Sequence, residues 1–262
     1  MLKIIYYSAT GNTLKALRPI AEVLSEHLGI PVQWFSYTTP AERAVFPTID
    51  KEDIVVWGSP VYAGRLPNKL TPFVAEKLKG CGNPIVLIAT FGNRSFDNAL
   101  AEMHLIAQNN GFCTIAAAAV VAQHSFSNTL AAGRPDASDL ESLASFARTI
   151  SLDGAPTIPG DPEAPYYRPL KEDLHPANFL KAIPSIDSSR CILCEQCIPL
   201  CPMGSLSLVS DKIQASAPCI KCMACVKSCP QDAITISDPD FRSHVRMLET
   251  HCLPPKQNLY FT

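Results

Sequence analysis

Residues 2–13 read LKIIYYSATGNT, an apolar run that ends in a loop of small, hydroxylated and amide side chains. The run Leu2 to Tyr7 suits a strand buried on both faces. The loop Ser8 to Thr13 then feeds straight into an amphipathic stretch, so backbone amides and the positive end of a helix dipole converge on it. Such a junction suits an anion, phosphate above all. The spacing is neither GxGxxG nor a P-loop ending in Lys followed by Ser or Thr, so dinucleotide and nucleoside triphosphate readings lose ground.

The same alternation continues outward from this junction. Candidate strands are Leu2 to Tyr7, Val32 to Ser36, Ile54 to Gly58, Ile85 to Thr90 and Thr114 to Val121. Thr13 to Leu28, Pro67 to Lys79, Phe96 to Asn110 and Ser138 to Ile150 read as helices. Five strands alternating with helices predict an α/β fold with a doubly wound parallel sheet. Pro19 falls inside the first helix, where it is expected to kink the helix or shift its start. From Asp153 to Pro184 the chain carries Pro156, Pro159, Pro162, Pro165, Pro169, Pro176 and Pro184, too many for helices or central strands. The expected organisation is a first domain over 1–152, an ordered or semi-rigid proline-rich connector over 153–186, and a second, smaller domain over 187–262.

Bulk properties narrow the function classes. The 262 residues are 47% hydrophobic, enough for a core plus a smaller module. A formal net charge of -2 leaves no electrostatic footprint for nucleic acid. The longest apolar run, Cys113 to Ala122, is about half of a bilayer span, so no membrane span is expected. Leu2 to Tyr7 lacks a cationic lead and a small-residue cleavage site, which points to a cytoplasmic, reducing compartment. In that setting the eleven cysteines imply metal or reactive thiols, not disulfides.

Eight of them are crowded into two runs. Cys191, Cys194, Cys197 and Cys201 precede Pro202 as CxxCxxCxxxCP, and Cys219, Cys222, Cys225 and Cys229 precede Pro230 in the same pattern. The sequence after each proline also repeats, MGSLSL against QDAITI, which marks a duplicated loop. Two-residue spacings let three thiolates curl around a cuboidal iron-sulfur cluster while the fourth turns to the neighbouring one. Cluster one is therefore expected on Cys191, Cys194, Cys197 and Cys229, and cluster two on Cys219, Cys222, Cys225 and Cys201. A pair of zinc sites would instead show paired CxxC knuckles.

Residues 187–237 resemble a bacterial two-cluster 4Fe4S ferredoxin, an α+β module, and the resemblance implies one-electron transfer at low potential. Lys221 and Lys227, inside or beside the second run, place cations that favour a reduced cluster unless water screens them. Cys81, Cys113 and Cys252 lie outside any ligand spacing and read as packing thiols.

The first loop, with Ser8, Thr10, Gly11, Asn12 and Thr13, resembles the FMN-phosphate signature of flavodoxins. Two further loops strengthen the match over residues 1–150: Ser59, Pro60, Val61, Tyr62, Ala63 and Gly64 after the third strand, and Thr90, Phe91, Gly92, Asn93, Phe96 and Asp97 after the fourth. All three sit at the carboxyl ends of strands, where doubly wound sheets bind ligands. The resemblance implies that these loops flank the isoalloxazine, with Tyr62 packing on the ring and Phe91 or Phe96 as substitutes. His124, after the fifth strand, falls on the same edge and is a candidate to donate a hydrogen bond or proton.

The whole chain is similar to fused flavodoxin/ferredoxin proteins of anaerobes. That similarity implies FMN, two 4Fe4S clusters and electron transfer to a redox partner, since a flavin joins one-electron carriers to a two-electron acceptor. The alternative is an FMN-dependent reductase of a small substrate fed through the clusters, and a lesser one an empty flavodoxin-like domain used for docking. No catalytic constellation beyond the cofactors is visible, which favours the carrier.

Overall fold

The computed structural model describes residues 1–262. The first part alternates β1 (Leu2–Tyr6), α1 (Asn12–Leu28), β2 (Val32–Ser36), α2 (Pro40–Arg43), β3 (Ile54–Pro60), α3 (Thr71–Lys77), β4 (Asn83–Phe91), α4 (Ala99–Asn109), β5 (Phe112–Val121) and α5 (Ala137–Thr149). The second holds β6 (Ser185–Ile186), β7 (Leu206–Val209), β8 (Lys212–Ala215), α6 (Ala224–Lys227) and β9 (Ile234–Thr235), followed by α7 (Pro239–His251) and β10 (Leu259–Phe261). The large sheet runs β10-β5-β4-β3-β1-β2; β1 to β5 are parallel, and the order reverses beside β1. That reversal opens a crevice at the carboxyl ends of the strands. Two small antiparallel ladders, β6 with β9 and β7 with β8, make the ferredoxin-like part.

Successive strand residues face opposite sides, so each strand feeds two cores. Ile5, Val55, Trp57, Leu87 and Ala89 pack with α3 and α4, while Ile4, Val56, Val86 and Ile88 pack with α1 and α5. Burying each such aliphatic side chain contributes about 1.5–3 kcal/mol, which is why the strands are nearly unbroken apolar runs.

Three sequence expectations shift. The helix expected from Pro67 begins at Thr71, because Pro72 lacks an N–H and is harmless only in a first turn. The helix expected from Phe96 begins at Ala99, since Asp97 sits at φ 41, outside helical space. Pro19 neither ends nor delays α1, which runs unbroken from Asn12 to Leu28. The carbonyl it deprives belongs to Lys15, on the exposed side of the helix, where solvent access offsets the lost donor.

The expected five-stranded sheet has a sixth strand. β10 pairs antiparallel with β5, so the end of the chain returns from the ferredoxin part to the edge of the first sheet. Asn258 fixes it: its Oδ1 accepts from Val121 N at 2.8 Å and its Nδ2 donates to Asp139 at 2.9 Å. Tyr260 stacks on Phe146 at 4.8 Å, and its hydroxyl meets that of Ser142 at 2.6 Å. Three residues of strand carry too little periodicity to read from sequence. We expect Asn258→Ala to lower stability by about 1–3 kcal/mol, because the buried Val121 N–H loses its acceptor and Asp139 loses one of its donors; an unchanged urea midpoint would count against it.

The two parts share a core. Phe126 after β5, Phe179 and Ala182 of the connector, Met223 and Ile236 of the ferredoxin part and Phe241 of α7 form one apolar cluster. Arg43 adds a hydrogen bond to Pro202 O at 2.7 Å. α7 itself is announced by Asp238, whose carboxylate caps Phe241 N, with Pro239 at the first helical position. That start signal, SDPDF, is legible in the sequence.

Candidate functional site

A cavity of about 380 Å³ opens where the three loops meet. Ser8, Thr10, Asn12, Thr13, Pro60, Val61, Tyr62, Ala63, Gly64, Thr90, Phe91, Gly92 and His124 all line it. α1 starts here with Gly11 at φ 84, which has no side chain to cap it, and this leaves the Asn12 and Thr13 amides for an incoming anion. Around them Ser8 Oγ accepts from Leu14 N at 3.1 Å, and the Thr13 and Thr90 hydroxyls meet at 2.7 Å. Asn12 Nδ2 holds Gln123 O at 3.1 Å, tying the first loop to the last. An uncapped helix N-terminus rimmed with hydroxyls fits the phosphate of FMN, and the aromatic walls beyond fit its ring.

Tyr62 and Arg65 exchange backbone hydrogen bonds across Ala63 (φ 48) and Gly64 (φ 78), two left-handed residues in a tight turn. A Cβ on Gly64 would fall 2.3 Å from Asp97 Oδ2, so glycine is required there twice over. The Tyr62 hydroxyl meets that of buried Tyr7 at 3.2 Å, and the two rings stand edge to face. Phe91 lies in the wall with most of its surface in the core.

Five sequence candidates lie off the cavity wall. Gly11 caps α1 and Ser59 is buried beneath its loop. Phe96 packs on Phe91 and the core. Asp97 pairs with Arg94. Asn93 clamps the tail instead: its amide donates to Cys252 O at 2.6 Å and Pro254 O at 3.1 Å, and its carbonyl accepts from Lys256 N at 2.9 Å.

His124 has its Nδ1 accepting from Phe126 N at 3.1 Å, which places the ring proton on Nε2. Burial, then the neighbouring His244, Arg94 and Lys227, pushes its pKa down to about 3. It therefore serves as a neutral hydrogen-bond donor near pH 7, not as an imidazolium acid, which narrows the sequence expectation. The unfolded chain protonates this ring near its ordinary 6.5 and the folded one only near 3, so stability is full above the first value and erodes as pH falls towards the second. We expect the urea midpoint to drop between pH 7 and 5 and the drop to shrink in His124→Gln. Equal slopes in the two proteins would remove His124 as the cause.

The remaining wall was not foreseen. The connector delivers Tyr166, Tyr167, Pro169, Phe179 and Leu180, and α7 delivers His244 and Leu248. Tyr167 N donates to Ala63 O at 2.7 Å and its ring carries the Arg94 guanidinium at 3.8 Å. Tyr166 donates to Leu66 O at 3.1 Å. His244 Nδ1 donates to Leu170 O at 2.7 Å, and its ring stacks on Phe179. A cluster of tyrosines among the prolines, aromatic side chains in a supposed linker, was the available signal. No aspartate or glutamate lines this cavity.

The eight thiols gather into two further cavities. Cys191, Cys194, Cys197 and Cys229 line one; Cys201, Cys219, Cys222 and Cys225 line the other. Each takes three cysteines from one run and the fourth from the other. Cys201 Sγ accepts from Ser205 N at 3.3 Å and Cys229 Sγ from Ala233 N at 3.3 Å, the same contact in each repeat. Left-handed residues Leu193, Glu195, Lys221 and Met223 bend the loops where the first three cysteines of each run line one cavity. Burial pushes the Cys222 and Cys225 thiols up to about 12, and thiolates collect there only around compensating charge, which bound iron would supply. Cys219, Ile220 and Lys221 line both this second cavity and the large one.

Comparison with known proteins agrees on the parts. Residues 3–111 match the family profile of a flavodoxin domain, and residues 190–234 that of a 4Fe-4S dicluster domain. No curated protein matches the chain. Among solved structures, a flavodoxin from the domain Archaea is 17% identical at a TM-score of 0.41, covering 56% of this chain and 92% of its own. Oxidised Flavodoxin 2 from Bacillus cereus is 16% identical at a TM-score of 0.41, covering 56% and 94%. No helix is long and apolar enough to cross a membrane.

Proposed function

We propose that this chain, which joins a flavodoxin domain to a 4Fe-4S dicluster domain, passes electrons between two 4Fe4S clusters and FMN and on to a redox partner. The observation that carries the reading is the shared wall of Cys219, Ile220 and Lys221: one short segment separates the second thiol cavity from the flavin cradle. The order that follows is cluster one, cluster two, FMN. Cys191, Cys194, Cys197 and Cys229 would hold the outer cluster, where Cys194 is exposed and Ile192 is 61% exposed, open to a partner. Cys201, Cys219, Cys222 and Cys225 would hold the inner one.

Bound FMN would supply an acceptor for one or two electrons, which links the single-electron steps of the clusters to a two-electron partner. Ser8, Thr10, Asn12 and Thr13 would hold the phosphate, Tyr62 would pack on the ring, and His124 would donate a hydrogen bond from Nε2. The wall from the connector and α7 favours a second reading beside the first. It covers part of the cradle with side chains of this chain itself, which suits a small acceptor better than a docked protein and hence a reductase fed through the clusters.

Anaerobic purification with flavin, iron and sulfide quantification, followed by reductive titration, tests the proposal. Flavin bands over sulfur-to-iron charge transfer are expected. Zinc in place of iron, or no sulfide, would overturn it; clusters without flavin would leave the docking module. Turnover of a substrate panel without an added carrier protein would select the reductase.

A further inference from the structure

Lys221 stands apart from the one other buried lysine of the chain. Lys3 pairs with Asp53. Lys221, only 9% exposed, has no carboxylate partner: its ammonium donates to Leu180 O at 2.5 Å and Cys219 O at 3.0 Å, and Asp238 acts on it only from beyond ion-pair distance. An ammonium has three donors, so one remains. The side chain borders the flavin cradle and the inner thiol cavity together, and the cradle contributes no acidic residue to offset it. An ammonium without a carboxylate partner is thus buried between two sites that both become more negative on accepting an electron.

We propose that Lys221 is a shared counter-charge, a positioning residue that favours the reduced state of cluster two and of the flavin at once and leaves cluster one the more reducing centre. This deepens the electron-path reading above and rests on it. Each transfer moves one electron without making or breaking a bond. A one-electron donor of lower potential reduces cluster one; cluster one is reoxidised as cluster two is reduced; cluster two is reoxidised as the electron reaches the cradle. Burial matters because water and salt would screen an exposed lysine, whereas here little solvent intervenes. Lys227 illustrates the contrast: it lines neither cavity, and its ammonium reaches Ser127 O at 3.4 Å.

The test is potentiometry with dithionite on the full chain, reading the clusters by electron paramagnetic resonance and the flavin by absorbance. In Lys221→Gln the reduced-to-oxidised ratio of cluster two and of the flavin, at a fixed potential, should each fall by roughly tenfold or more, with cluster one unmoved. Lys221→Arg should restore both, and Lys227→Gln should leave all three in place. Unchanged ratios in a cofactor-replete Lys221→Gln, or an equal shift of all three centres, would overturn the assignment. A second measurement needs no variant: in the wild-type protein, reduced FMN in the cradle should lower the reduced fraction of cluster two relative to FMN-depleted protein, and an unchanged fraction would overturn the shared charge. Wild-type cofactor counts separate the two failures, since protein lacking flavin or sulfide sinks the function itself, whereas replete protein with unmoved ratios sinks only the role of Lys221.

Discussion

Cys201→Ala should empty the cavity beside the flavin cradle and leave the outer cluster standing, cutting iron and sulfide to about half. The thiol of Cys201 belongs by sequence to the first run, yet it lines the same cavity as Cys219, Cys222 and Cys225. Losing Cys201 leaves one corner of a cuboidal cluster without its protein thiolate, so the inner cluster is the one expected to be lost. Cys229→Ala is the mirror image, emptying the cavity of Cys191, Cys194 and Cys197 while the inner cluster stays next to the cradle. The two variants should therefore differ in one respect: electrons from a chemical reductant equilibrate with flavin through cluster two in Cys229→Ala and not in Cys201→Ala. Should Cys201→Ala behave like Cys191→Ala in this assay, each run would hold its own cluster and the proposed order of centres would fall.

Gly92→Ala is expected to abolish flavin retention with both clusters in place. A Cβ on Gly92 would lie 2.4 Å from His124 Cδ2 and 2.9 Å from His124 Cα. The second contact is with backbone, so rotating the imidazole cannot relieve it, and the loop after β5 has to move. That loop carries Gln123, whose carbonyl Asn12 holds, and Phe126, which anchors the shared apolar cluster. Displacing it opens the phosphate loop from the far side. Flavin content after desalting, with iron counted in the same sample, reads the outcome; full flavin occupancy would mean that the cradle tolerates the shift. The eight thiols line their own two cavities between residues 191 and 229, which the substitution does not touch.

The parts of this molecule that are local in sequence were legible in it. The strand, loop and helix at Leu2 to Leu28 follow from an apolar run, a glycine and a 3.6-residue pattern, all within one stretch of chain. The cysteine runs follow from spacing alone, because a cluster imposes its own geometry on the loop that wraps it. Where a glycine loop ends a strand, the candidate residue usually faced the cavity, as Thr10, Tyr62 and Gly92 do. Asn93 and Asp97 sit in the same kind of loop yet face the tail and Arg94. Their direction depends on a left-handed φ at each, 64 and 41, which residue type suggests only weakly.

The amino-acid sequence by itself determined which cofactor chemistry this protein is built for, since thiol spacing, a hydroxyl-rich phosphate loop and alternating strands are short-range properties. Tertiary structure alone decided what surrounds that chemistry. The proline-rich connector became a wall of the cradle, the tail became a sixth strand, and Lys221 came to lie between two cavities. The physical reason is that these features are contacts between segments remote along the chain, Tyr167 with Ala63, Asn258 with Val121 and Lys221 with Leu180. Such contacts are selected by the burial of apolar surface across the whole fold, and no local pattern of residues records them.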